Sequence, residues 1–256
     1  MFYKEINGIK IKIIVIFFLL MALLVSFIPL KSFSVELMKT MYSETEELPD
    51  IIKNMIGNEG DLEKLEDNDY YLLSQWQGKN LGQFIPLVIL LIAFPLLSKE
   101  YDKKTIYFLL SRINRKKLFL YKYFTGLLVS VCIISVLAFL GPIFMNLFGY
   151  KTGFYETLLV YIQELFSILF LYNLFFLFST IFREQIKTFI IGIIVCFIFP
   201  FFSMYKPIAF LNIYTYVFGQ NILNGDGIDW LYSITLLIIS FFLFFVSQFH
   251  FLRKDI

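Results

Sequence analysis

Six blocks of the sequence, near residues 13–30, 81–97, 124–148, 157–182, 188–205 and 230–249, are so uniformly apolar that no face of them is left for water. Each is long enough to cross about 30 Å of hydrocarbon as a helix rising 1.5 Å per residue. Open sheet edges would strand backbone N–H and C=O groups in lipid, and a closed barrel needs short alternating strands instead of solid blocks. The predicted fold is therefore all-α: one polytopic membrane domain over residues 1–256 with six transmembrane helices. Composition agrees, since 59% of the residues are hydrophobic and only 16% charged, more apolar surface than a soluble domain can hide. The first block exceeds a secretion-signal core and reads as an uncleaved span.

Orientation follows from the loops. Lys and Arg number three before the first block, eight in 98–123, two in 183–187 and two after the last block, against seven on the alternate side. Positive charge stays inside, so both termini are expected in the cytoplasm. The 31–80 segment is then the one sizeable outer region. Leu48, Ile51, Ile52, Met55 and Ile56 recur at helical spacing, and Tyr70, Leu73 and Trp76 form a second stripe. Tyr70 and Trp76 suit the outer membrane interface, and the segment reads as helices lying there or as a lid or docking surface. The stretch 206–229 mixes aromatics with turn residues and fits a segment dipping into the interface. Pro86, Pro95, Pro142 and Pro200 each remove one intrahelical hydrogen bond.

Catalytic and metal-binding patterns are missing. The single histidine, His250, ends the last span, and the sequence holds no HExxH, CxxC or GxSxG. Cys132 and Cys196 lie inside apolar blocks as small hydrophobes. Without a GxxxxGK[ST] loop, any ATP that drives the protein sits on another polypeptide. One ionisable group falls inside a block: Glu164, with Ser167 on its face. It lines a polar pathway or seals a subunit interface, unless the true span begins later and leaves Glu164 near the headgroups.

Between the second and third blocks runs "EYDKKTIYFLLSRINRKKLFLYKYF", residues 100–124. Ile106, Leu109, Leu110 and Ile113 make an apolar stripe at i, i+3, i+4 and i+7. Asn114 is placed to N-cap a helix starting at Arg115. A plain connector needs only a few residues, so this amphipathic segment has a task beyond topology and contact with anionic lipid.

These residues resemble the permeases of type-2 ABC exporters. Such permeases carry, after their second span, an acidic residue, a Gly-Thr pair, an apolar run, Leu-Ser-x-Pro-Ile-Ser-Arg and a later Lys. Here the matching positions are Glu100, Lys104-Thr105, "IYFLLS", Arg112-Ile113-Asn114-Arg115 and Lys122, with Lys104 in place of the Gly and Arg112 in place of the Pro. The resemblance implies an amphipathic coupling helix between spans two and three that docks on a separate cytoplasmic ATPase. Glu100, Thr105, Ser111, Arg112, Arg115 and Lys122 are the implied coupling residues. It further implies an ATPase dimer carrying ATP and Mg, a second permease chain, the same or homologous, and no cofactor or nucleic acid on this chain. Cargo would be hydrophobic or amphipathic: an antimicrobial peptide, a drug or a lipid. A bacterial plasma membrane is the expected location. A secondary transporter and a membrane-embedded lipid-modifying enzyme are the competing readings.

Overall fold

The computed structural model of the protein describes residues 2–43 and 64–254. Every regular element among them is helical. They are α1 (Phe2–Phe27), α2 (Lys31–Ser43), α3 (Asn68–Asp102), α4 (Ile106–Leu110), α5 (Arg115–Leu147), α6 (Tyr155–Ile181), α7 (Gln185–Phe201), α8 (Ile213–Val217), α9 (Gln220–Leu223) and α10 (Trp230–Arg253). Short 3₁₀ turns at Phe202–Met204 and Lys206–Leu211 link α7 to α8. Six stretches are long and apolar enough to cross a membrane: Asn7–Phe27, Asn68–Asp102, Arg115–Leu147, Tyr155–Ile181, Gln185–Met204 and Trp230–Arg253. The expected stripe over Leu48 to Ile56 lies outside the described residues.

The six spans are unequal. In the most apolar 18 residues of each span, 78% are buried for α3 and 61% for α6, against 17% for both α1 and α7. α3 and α6 form the centre, and α1, α5, α7 and α10 pack around them. Gln77 of α3 and Gln163, Glu164 and Asn173 of α6 suit these helices to the centre, because lipid offers polar side chains no partner. Close approach is bought with glycine at two crossings. A Cβ on Gly126 of α5 would lie 2.4 Å from Leu96 Cδ1 and 2.5 Å from Tyr172 Oη, and one on Gly192 of α7 would lie 2.2 Å from Leu90 Cδ1. Small residues let membrane helices pack backbone to backbone in this way.

The second span is longer than its apolar block. The helix begins at Asn68, and Leu72–Gly82 winds as a π-helix within it. Trp76, expected at the outer membrane interface, is instead fully buried. The physical reason is local: its ring fills the space left by Gly141, where a Cβ would come within 2.8 Å of it, and its Nε1 donates to Leu137 O at 3.2 Å. Tyr70 is half-buried. The 206–229 stretch folds back on the bundle, with Ile213, Tyr216 and Val217 buried against α6.

At the end holding the 66–69 and 150–153 turns, Lys31 binds Asn68 Oδ1 and donates to Glu66 O at 3.1 Å, beneath the rings of Tyr71 and Tyr150. Burial pushes its ammonium pKa down, partly offset by Asp67, Asp69 and Glu66.

Candidate functional site

The opposite, basic end holds most of the residues singled out in the sequence. It is built on a break in α3. Pro95 has no N–H to give the helix ladder, and Ser179 of α6 supports the distorted turn. Its Oγ accepts from Leu97 N at 3.0 Å and Ser98 N at 3.1 Å and donates to Phe94 O at 2.8 Å. Ser98 Oγ adds a second bond to Phe94 O. The last turns of α3 are thereby fixed to α6, and Glu100 projects from them.

Glu100 is the hub of a small cluster. Its Oε1 accepts from Lys122 Nζ of α5 at 3.0 Å, and its Oε2 accepts from Thr105 Oγ1. Lys122 is wholly buried, and the Glu100 side chain is 15% exposed. Between Glu100 and Thr105 the chain turns through Lys104, whose φ of 56° is left-handed. That conformation suits glycine and strains a residue with a Cβ. The Glu100–Thr105 bond thus closes the loop that launches α4, and the ion pair ties that loop to α5.

α4 turns its stripe inward: Ile106 and Leu109 are buried, and Leu110 and Ile113 half-buried. Tyr107 and Phe108 face out, 57% and 55% exposed, and the Arg112 guanidinium lies 4.3 Å over the Phe108 ring. Ser111 Oγ donates to Phe108 O at 2.9 Å. Asn114 Oδ1 accepts from Lys116 N at 3.2 Å, and α5 starts there. The exposed aromatic pair is absent from the residues read out of the sequence. The available signal was two large apolar side chains falling between stripe positions.

Arg115 has a different neighbourhood from Arg112. Its Nη1 donates to the carbonyls of Leu252 at 3.2 Å and Lys254 at 3.1 Å, both at the end of α10. Lys254 Nζ in turn donates to Thr180 O at 2.5 Å and Ile181 O at 2.9 Å, carbonyls that α6 leaves unpaired at its end. It also sits 4.2 Å over the Tyr101 ring. Burial, with Arg183 nearby, pushes the Lys254 amine down to about 8. Arg115 is thus committed within the chain.

Glu164 lies apart from this cluster, fully buried on α6, and neither carboxylate oxygen has a hydrogen-bond partner among the described residues. Ser167, also buried, donates to Gln163 O at 3.5 Å. Gln163 Nε2 donates to Tyr216 O at 2.6 Å, and its Oε1, both side-chain polar atoms of Gln77 and Thr157 Oγ1 are likewise unpartnered. The centre of the bundle therefore carries several unsatisfied polar groups, each costly in a low-dielectric interior. Enclosed by its own chain, Glu164 meets cargo or a second subunit only if α6 moves against its neighbours. Among the described residues no group of three or more His, Cys, Asp or Glu side chains gathers to hold a metal ion.

The profile of a family described as ABC-2 family transporter protein matches residues 4–256. No curated protein and no solved structure matches the chain.

Proposed function

The chain belongs to the ABC-2 transporter family, and from that premise we propose that it forms half of the translocation pathway of an ATP-driven exporter. It is a multi-pass membrane permease. The basic end faces the cytoplasm, as the positive-inside count requires, and both termini lie there. A separate ATPase dimer binds ATP and Mg and docks at this end, and a second permease chain completes the pathway.

The observation that carries this reading is the Glu100–Lys122–Thr105 cluster beneath a short helix with an exposed aromatic and cationic face. In this arrangement α4 is the coupling helix. Tyr107, Phe108 and Arg112 touch the ATPase, with Ser111 capping beneath them. Glu100, Thr105 and Lys122 position the helix and do not themselves dock. Movement of the ATPases on ATP closure then reaches α3 and α5 as a rigid-body displacement, because a buried ion pair joins both helices to the loop. Aromatic-rich spans suit hydrophobic or amphipathic cargo such as an antimicrobial peptide, a drug or a lipid, and the unsatisfied polar groups around Glu164 mark where α6 would part from its neighbours during transport.

Pull-down of the tagged full chain from native membranes tests the proposal. A Walker-motif ATPase is expected in stoichiometric amount. Phe108→Ala with Arg112→Glu is expected to lower its recovery at least tenfold while the permease still reaches the membrane. Glu100→Arg is expected to uncouple ATP hydrolysis from export. Undiminished recovery and transport in all these variants would refute the docking assignment.

A further inference from the structure

A cavity of about 260 Å³ opens at the basic end between α1, the end of α3 and the start of α7. Gly8 and Lys12 line it from α1, Lys99 and Glu100 from α3, Lys103 from the turn that follows, and Gln185 from α7. Lys12 and Lys99 stand close enough to repel one another. Neither they nor Lys103 pairs with a carboxylate among the described residues. Glu100 is itself paired with Lys122 and bonded to Thr105. Among the described residues, three cations thus share one small cavity with a carboxylate that already pairs with Lys122.

One wall is apolar. The Lys12 ammonium lies 4.4 Å from the centre of the Phe94 ring, and that ring packs on Phe189 of α7 at 5.0 Å. From Lys12, the same face of α1 continues through Val15 and Leu19, 58% and 53% exposed. A cluster of lysines that opens along an uncovered apolar helix face has the two halves of a lipid: anionic head and acyl chain. Lysines bind phosphate as point charges. The cavity is also below the roughly 300 Å³ at which pockets for drug-sized molecules begin, so it suits a headgroup better than a cargo.

We propose that this cavity binds the phosphate of an anionic phospholipid from the leaflet facing the basic end, with Lys12, Lys99 and Lys103 around the phosphate and an acyl chain along Val15 and Leu19. The choice of leaflet rests on the orientation argued above. The bound lipid would join α1 and α7 to the end of α3, next to the Glu100 cluster.

The test uses the purified full chain in neutral detergent and reads lipid retention by native mass spectrometry. Phosphatidylglycerol is offered against phosphatidylcholine, with inorganic phosphate as a separate arm. Phosphatidylglycerol is expected to be retained at least tenfold over phosphatidylcholine. Lys12→Gln with Lys99→Gln should abolish that preference, whereas Lys116→Gln with Lys117→Gln, on exposed positions outside the cavity, should keep it. If the first pair does not yield folded protein, Lys103→Gln, an exposed position, should still weaken retention severalfold. Equal retention of the two lipids, an unchanged preference in the lysine variants, or equal capture of inorganic phosphate would overturn the assignment. Failure to recover an ATPase in the pull-down would leave this measurement untouched, so the two proposals fall separately.

Discussion

Lys122 keeps its ammonium group out of water, and the ion pair with Glu100 helps to make that tolerable. A buried pair gains little over an apolar substitute, but removing one partner leaves a stranded charge. Lys122→Met is therefore expected to lower stability by about 3 kcal/mol. The double variant with Glu100→Gln should lose less than the two single variants added together, a non-additivity of about 1–3 kcal/mol in a thermal-unfolding cycle. Strict additivity would mean that the two side chains do not depend on each other. Lys104 is the converse case, a side chain in a left-handed turn. Lys104→Gly should raise stability by about 1 kcal/mol, seen as a higher melting temperature of the purified permease. A fall would show that the lysine side chain contributes more there than its backbone strain costs. Glu100, Thr105 and Lys122 stood out in the sequence through their match to the permease pattern after the second span. That they bind one another was not legible, since the pairing depends on how α5 returns beside α3.

At the scale of the element, α3 shows what a linear reading reaches and where it stops. Pro95 marks a break in any sequence, yet the residue that mends it, Ser179, lies more than eighty positions away on α6. Ser179→Ala removes the partner of two backbone donors of the broken turn and leaves Phe94 O to Ser98 Oγ alone. Membrane hydrogen bonds average well below their water-free ideal, so the expected loss is about 1–2 kcal/mol, with faster hydrogen exchange at Leu97 and Ser98 as the local signature. Unchanged exchange there would mean the turn holds itself. Trp76 illustrates the same limit from the other side. An aromatic at the edge of an apolar block reads as an interfacial anchor, and only the π-helical winding and the bare backbone of Gly141 turn it inward. Asn114 needed no such help, because capping is decided within a few residues of chain.

Across the whole molecule, the basic end is where helices distant in sequence are tied together. Arg115 holds the end of α10 to the start of α5, Lys254 holds it to the end of α6, and Tyr101 of α3 lies under the same ammonium. A displacement imposed on α4 and α5 would therefore carry α10 and α6 with it, which is what a permease needs if motion at one face is to open a path through the bundle. Lys254 gives this tie a pH signature. Its amine titrates near 8 in the fold and near 10.5 in the unfolded chain. Between those values the unfolded chain holds a proton that the folded one has released, so stability rises with pH across this window. Below about pH 8 both forms are protonated, and the cost of burying the charge is present in full. Since Lys254 is only half-buried, solvent screening keeps the effect small. Comparison with Lys254→Met isolates it from every other lysine. The melting temperature of the native chain relative to that variant should climb between about pH 7.5 and pH 9.5. A constant difference would mean that the Lys254 ammonium is as well stabilised in the fold as in water, its bonds to Thr180 and Ile181 offsetting its burial.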